Sequence, residues 1–180
     1  ELNYLSDHNF HGLSEKDLIK MQMKARDVLK EVRNTQEHYS LYELLKHRLI
    51  HSGKILSAEG KKQLDDLILS EMGLVTTRAK NNFGSQKLHL LFQSFFFTDI
   101  GDYRSALKTF YVLNKLFEKN VGLWSTPPLD YFSSLDGILD SLRAIGYYEE
   151  MTYYIEKTEQ LDNVSYPEYF RFLVRKTAMI

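Results

Sequence analysis

The dipeptide Ile-Gly occurs at Ile100-Gly101 and again at Ile145-Gly146, 45 positions apart, each time between two runs of helical apolar periodicity. The first copy reads DIGDYRSALKTF and the second AIGYYEEMTYYI, so Tyr103 and Tyr148, Ala106 and Met151, and Phe110 and Ile155 take matching places. A glycine just past a helix supplies the backbone freedom needed to reverse the chain. Self-similarity at a fixed period of this size signals stacked helical hairpins. A looser copy lies earlier, in LIHSGKIL, where Gly53 stands 48 positions before Gly101. No window alternates with period two for long, and the only prolines are Pro127, Pro128 and Pro167. The expected fold class is therefore all-α, a stack of antiparallel helical hairpins.

Start and stop signals divide the chain into about eight helices in one domain over residues 1–180. A leading helix is predicted over 13–35: Ser14 can cap, Asp17 sits three on, and Leu13 and Leu18 can staple. Its stripe is Leu18, Met21, Ala25, Val28, Leu29 and Val32. Hairpin 1 is expected over 36–73, with Ser40 and Glu43 as a second capping box and Ser57 capping its second helix. A polar linker, TTRAKNNFGS, leads to hairpin 2 over 85–120, and a GLWSTPP loop to hairpin 3 over 127–162. Ser165 and Glu168 box a terminal helix over 165–180. The chain opens on Glu1 rather than Met and closes on KTAMI, and an excised piece of a longer protein is expected.

The joint residues Gly101, Asp102, Tyr103, Ala106 and Phe110 resemble those of a tetratricopeptide repeat, where Gly-Asp-Tyr turns helix A into helix B and a small residue and an aromatic follow. The resemblance covers about residues 40–162. It departs from the family in its period of 45–48 rather than ~34. Met151 also replaces the small residue of helix B, and Leu139 stands where Ser94 is the small helix-A residue of the better copy. The resemblance implies a short right-handed solenoid whose inner wall is made by helix-A side chains. Residue by residue, that wall would carry Ser40, Glu43, His47 and Ile50, then Leu88, Leu91, Phe95 and Thr98, then Ser133, Asp136, Asp140 and Arg143.

Three consecutive phenylalanines, Phe95, Phe96 and Phe97, precede the better joint. Consecutive helical residues point about 100° apart, so the rings cannot share one seam. The repeat frame assigns Phe97 to the hairpin interior, Phe96 to the neighbouring hairpin and Phe95 to the groove, as an aromatic anchor of the kind that dominates binding. The alternative for Phe95 is burial under the first hairpin or under a neighbouring segment lost with truncation. Trp124, in the loop after the fifth helix, is expected to cover the core.

Composition narrows the function classes. The balance of 23 basic against 24 acidic residues lacks the basic excess of a broad nucleic-acid footprint. Absence of cysteine excludes disulfides, thiol catalysis and thiolate metal sites. No apolar run reaches the ~18 residues of a membrane span, and a cytoplasmic location is the expectation. Charge is polarised. Residues 130–162 hold eight acidic groups against Arg143 and Lys157, whereas the leading helix carries six basic residues against Glu15, Asp17, Asp27 and Glu31. An acidic groove wall would favour basic peptides, and ordinary solvated charge is the plain alternative.

Signals for chemistry are sparse. Glu43, His47 and His51 share a helix face, but the histidine pair lacks the internal glutamate of zinc-protease helices, and Glu43 stands about 12 Å from His51. Asp136 and Asp140 lie one turn apart, a spacing open to an acid–base pair but far commoner as a solvated face. No phosphate-loop, dinucleotide or nucleophile-elbow motif is present. The expectation is a non-catalytic protein or peptide scaffold with no cofactor and no metal. Its groove would be formed by Glu43, His47, Leu91, Phe95, Thr98, Asp136, Asp140 and Arg143. A structural or ligand-sensing module that self-associates within a larger regulatory protein is the alternative, and a His-based metallohydrolase the remote one.

Overall fold

The computed structural model describes residues 14–52, 58–75, 82–123 and 129–160. All regular structure among them is helical: α1 (Glu15–Ser52), α2 (Ala58–Val75), α3 (Phe83–Asp99), α4 (Tyr103–Lys119), α5 (Leu129–Ile145) and α6 (Tyr148–Gln160), with a short 3-10 turn at Val121–Leu123. The order of packing follows the chain, α4 against α3 and α5, α6 against α5, while α1 packs along both α2 and α3.

Six helices stand among the described residues where about eight were expected, and one difference has a clear cause. The leading helix and the first helix of hairpin 1 are a single helix, α1, of 38 residues. Between Val32 and Ser40 there is no glycine or proline to stop it. Ser40 does not cap; its hydroxyl donates to the Gln36 carbonyl one turn back at 3.0 Å. Thr35 does the same to Glu31 at 3.0 Å, and Arg33 reaches Glu37 at 2.8 Å. The expected terminal helix, the Ser57 cap and Trp124 lie outside the described residues.

The starting box holds. The Ser14 hydroxyl donates to the Asp17 carboxylate at 2.6 Å and accepts from the Asp17 amide at 3.3 Å. α3 begins three residues inside the expected linker because Asn82 caps it, its side chain accepting from the Ser85 amide at 2.9 Å.

The two Ile-Gly joints have one geometry. Gly101 and Gly146 both adopt φ of 79°, a left-handed value favoured by glycine. At the first joint the Gly101 amide donates to Thr98 at 3.2 Å and the Asp102 amide to Phe97 at 2.9 Å. At the second, Gly146 donates to Arg143 at 3.2 Å and Tyr147 to Leu142 at 2.9 Å. Every donor and acceptor is displaced by 45 residues, the pattern of paired bonds that closes a helix on a left-handed residue. Asp102 then caps α4 by accepting from Ser105 at 3.1 Å. A side-chain bond from Ser105, with the backbone amides of Ser105 and Arg104 beside it, holds the Asp102 carboxyl below its ordinary value. Tyr147 stands in the corresponding place of the second joint and brings no carboxylate.

Two clusters make the core. The larger gathers Tyr42, Leu91, Ala106, Phe110, Leu113, Phe117, Leu135 and Ile138 across α1, α3, α4 and α5. The smaller joins Leu45, Leu64 and Phe92 where α1, α2 and α3 meet. Close approach of α4 and α5 depends on Gly137, which lies directly against the ring of Phe110. A polar knot ties α6 to this body. Lys157 contacts the Glu118 carboxylate, donates to the Asn114 side chain at 3.0 Å, and lies 5.6 Å from the Tyr153 ring centre. Burial opposes its charge, but Glu118 and the surrounding tyrosine oxygens outweigh that and raise its pKa.

Candidate functional site

The residues expected to line one groove meet different fates. Leu91 is 0% exposed and belongs to the core, which corrects its placement on an open wall. Leu88 is buried as well. Both belong to the larger core cluster, shared with Tyr42 of α1 and with α4 and α5, and α1 packs along α3 beside them. Phe95 accordingly packs between α1 and α4, 6.1 Å from the ring of Tyr42 and edge-on to Phe110 at 6.3 Å. Half-buried, it touches both clusters. Phe96 packs on the smaller cluster of α1, α2 and α3 and Phe97 on the larger one.

Of the polar candidates only His47 is fully exposed; the others are half-buried, and one carboxylate oxygen of Asp136 is buried. Glu43 is half-exposed and accepts from Lys46 at 3.2 Å; His47 is exposed. Thr98 is half-buried, its hydroxyl donating to the Ser94 carbonyl at 2.9 Å. On α5, Arg143 donates to Asp140 at 2.6 Å, both groups half-exposed, and Asp136 is half-buried. The side chains of Ile50 and His51 lie outside the described residues. α3 and α5 are linked at their starts by Lys87 and Asp130, 2.6 Å apart.

A constellation not singled out by its sequence lies at the junction of α1, α2 and α3. His38, Glu71 and His89 converge there. His38 and Glu71 are each 2% exposed. The His89 Nδ1 contacts Glu71 Oε1, and the His38 Nδ1 stands 3.9 Å from the same oxygen. Neither ring nitrogen of His38 has a hydrogen-bond partner. Burial lowers its pKa, Glu71 pulls it upward, and His89 lowers it further. Each residue interrupts an apolar stripe: His38 is in register with Tyr42 and Leu45, Glu71 with Leu64 and Ile68, and His89 lies between Leu88 and Phe92. A polar residue inside a buried stripe was the available signal.

This junction lies inside the fold, with two imidazoles beside one carboxylate oxygen and one of them in direct contact. Among the described residues no group of three or more His, Asp or Glu side chains is set to hold a metal ion. Nor is any described helix long and apolar enough to cross a membrane.

The fold thus defines an all-helical protein with two geometrically equivalent helix–glycine–helix joints. No family model, no curated protein and no solved structure matches this chain.

Proposed function

We propose that the chain is a non-catalytic scaffold for proteins or peptides, built as a short tetratricopeptide-like solenoid. The observation that carries this is the identity of the two joints, whose hydrogen bonds repeat at an interval of 45 residues. Equivalent joints orient successive hairpins alike, and stacked hairpins offer an extended face to a ligand. In this reading Leu91 and Phe95 hold the stack together. Recognition is polar, through Glu43, His47 and Thr98 and through Asp136, Asp140 and Arg143 on α5. The excess of acidic groups in residues 130–162 selects basic ligands.

The test is selection of peptides from a random library on the purified chain, followed by affinity measurement on Asp136→Asn/Asp140→Asn. Enrichment of Lys- and Arg-rich peptides that bind the variant about tenfold more weakly, with the difference shrinking at high salt, is the expected result. No enrichment, or equal binding by the variant, removes the acidic-face reading. A second reading, a structural module that self-associates, is favoured by one observation: the first half of α1 carries an exposed apolar face.

A further inference from the structure

α1 is about 57 Å long at 1.5 Å per residue. α3 begins beside Thr35, whose hydroxyl lies 3.3 Å from the Asn82 side-chain oxygen. The twenty residues of α1 before that point extend past the start of α3. Within them Val28, at 51%, and Val32, at 60%, are exposed on one face with Leu29 beside them, while Ile19 and Met23 are exposed on the opposite side. A solvated helix has no use for such a face unless something covers it.

The spacing says what kind of cover fits. Leu18, Met21, Ala25, Val28, Val32, Thr35, Tyr39 and Tyr42 alternate in steps of three and four. That is the seven-residue repeat of a coiled-coil seam. The end of this seam is already used inside the fold, where Tyr42 is buried against Phe95. The free end is flanked by Lys24 and Glu31.

We propose that a second copy of this chain covers the free end, pairing antiparallel through residues 18–35 of each. In that register Ala25 faces Val28, Met21 faces Val32, and Leu18 faces Thr35. Lys24 then meets the second copy's Glu31, and Glu31 its Lys24, so two opposite-charge pairs flank the seam. A parallel pairing would set Ala25 on Ala25 and leave Lys24 beside Leu29, with neither pair formed. A groove of about 260 Å³ lies where the antiparallel register needs room for Leu18 and Met21 of the second copy; it is lined by Val28, Glu31, Val32, Thr35, Gln36 and Asn82. The contact is two-fold and uses the same surface on both chains, so it closes as a dimer. The hairpin bodies leave in opposite directions from either end of the seam, about 26 Å apart along the axis. The proposal is independent of what the hairpins bind. Failure of peptide selection leaves it standing, and a monomeric chain leaves the scaffold reading standing.

Light scattering of the 180-residue chain after size exclusion should give a dimer. Val28→Asp/Val32→Asp should weaken it by more than about tenfold with helicity retained, because both side chains are exposed in the single chain. Lys24→Glu and Glu31→Lys should each weaken it, and the two together should restore it. The chain contains no cysteine, so engineered ones report geometry cleanly. Ala25→Cys chains mixed with Val28→Cys chains should cross-link to one another faster than either does to itself. A chain that is monomeric at every concentration overturns the proposal. So does a dimer indifferent to the aspartates, an Ala25→Cys chain that links preferentially to itself, or an arm filled by a different amphipathic helix.

Discussion

Gly137 sits inside α5 with the ring of Phe110 against its α-carbon. A methyl group there would stand 2.2 Å from Cζ of that ring and 2.5 Å from each Cε. Ordinary contact between carbons begins near 3.5 Å, so the ring must retreat by about 1.3 Å. It has little room to do so. Phe110 is 2% exposed, and Phe95 packs edge-on against it. Overfilling a packed site costs about 1–3 kcal/mol, and a deficit this large belongs at the upper end. Alanine returns about 1 kcal/mol of helix propensity. Gly137→Ala should therefore lower stability by about 2 kcal/mol net, or about 4–8 °C in Tm for a chain of this size. Gly73→Ala is the control. It is also helical, meets nothing within 4 Å, and should gain about 0.5–1 kcal/mol. Urea and thermal unfolding followed by circular dichroism measure both. If Gly137→Ala is as stable as the parent, the close-packing argument fails. It fails equally if shortening the ring with Phe110→Leu does not relieve the penalty.

The junction under α1 should make stability depend on pH. His38 takes up a proton less readily when folded than when unfolded, so the unfolded chain binds more protons as pH drops through 6.5, the ordinary histidine value. Stability should be full above that pH and decline below it. The groups facing His38 are Glu71, His89 and Glu37. His38→Gln should flatten the dependence of Tm on pH between 5 and 7, and an unchanged slope would assign it to other groups. Gly101→Ala and Gly146→Ala meet no atom within 4 Å, so any loss is backbone strain, about 1–2 kcal/mol each by urea unfolding; neutrality at either position would contradict its left-handed geometry. Phe95→Ala should cost about 2–4 kcal/mol, less than a fully buried phenylalanine at most sites but well above a surface change. A loss below 1 kcal/mol would return Phe95 to the ligand-binding face.

The joints show how far local physics reaches. Gly101 and Gly146 are needed because a residue with a Cβ resists φ of 79°, and their amide bonds connect residues no more than five apart. Asp102 and Ser14 likewise cap by reaching three residues along the chain. Such interactions are legible in sequence because both partners lie in one short window. The helical class and most of the helix ends followed from them and from the apolar period.

What was missed depends on which helices meet. Ser40 has the spacing of a cap and is mid-helix, because nothing before it breaks the turn and its hydroxyl is satisfied one turn back. Leu91 has the register of a wall residue and is fully buried, because α1, α4 and α5 converge on α3 in the larger core cluster. His38, Glu71 and His89 are 33 and 18 positions apart, and only the packing of three helices brings two imidazoles to one carboxylate oxygen. The sequence by itself determined the helical class, most helix ends and the two glycine joints, all set by bonds within a turn or two of the chain. The tertiary structure alone decided which faces are covered, since burial depends on the neighbour a helix acquires and not on its own periodicity.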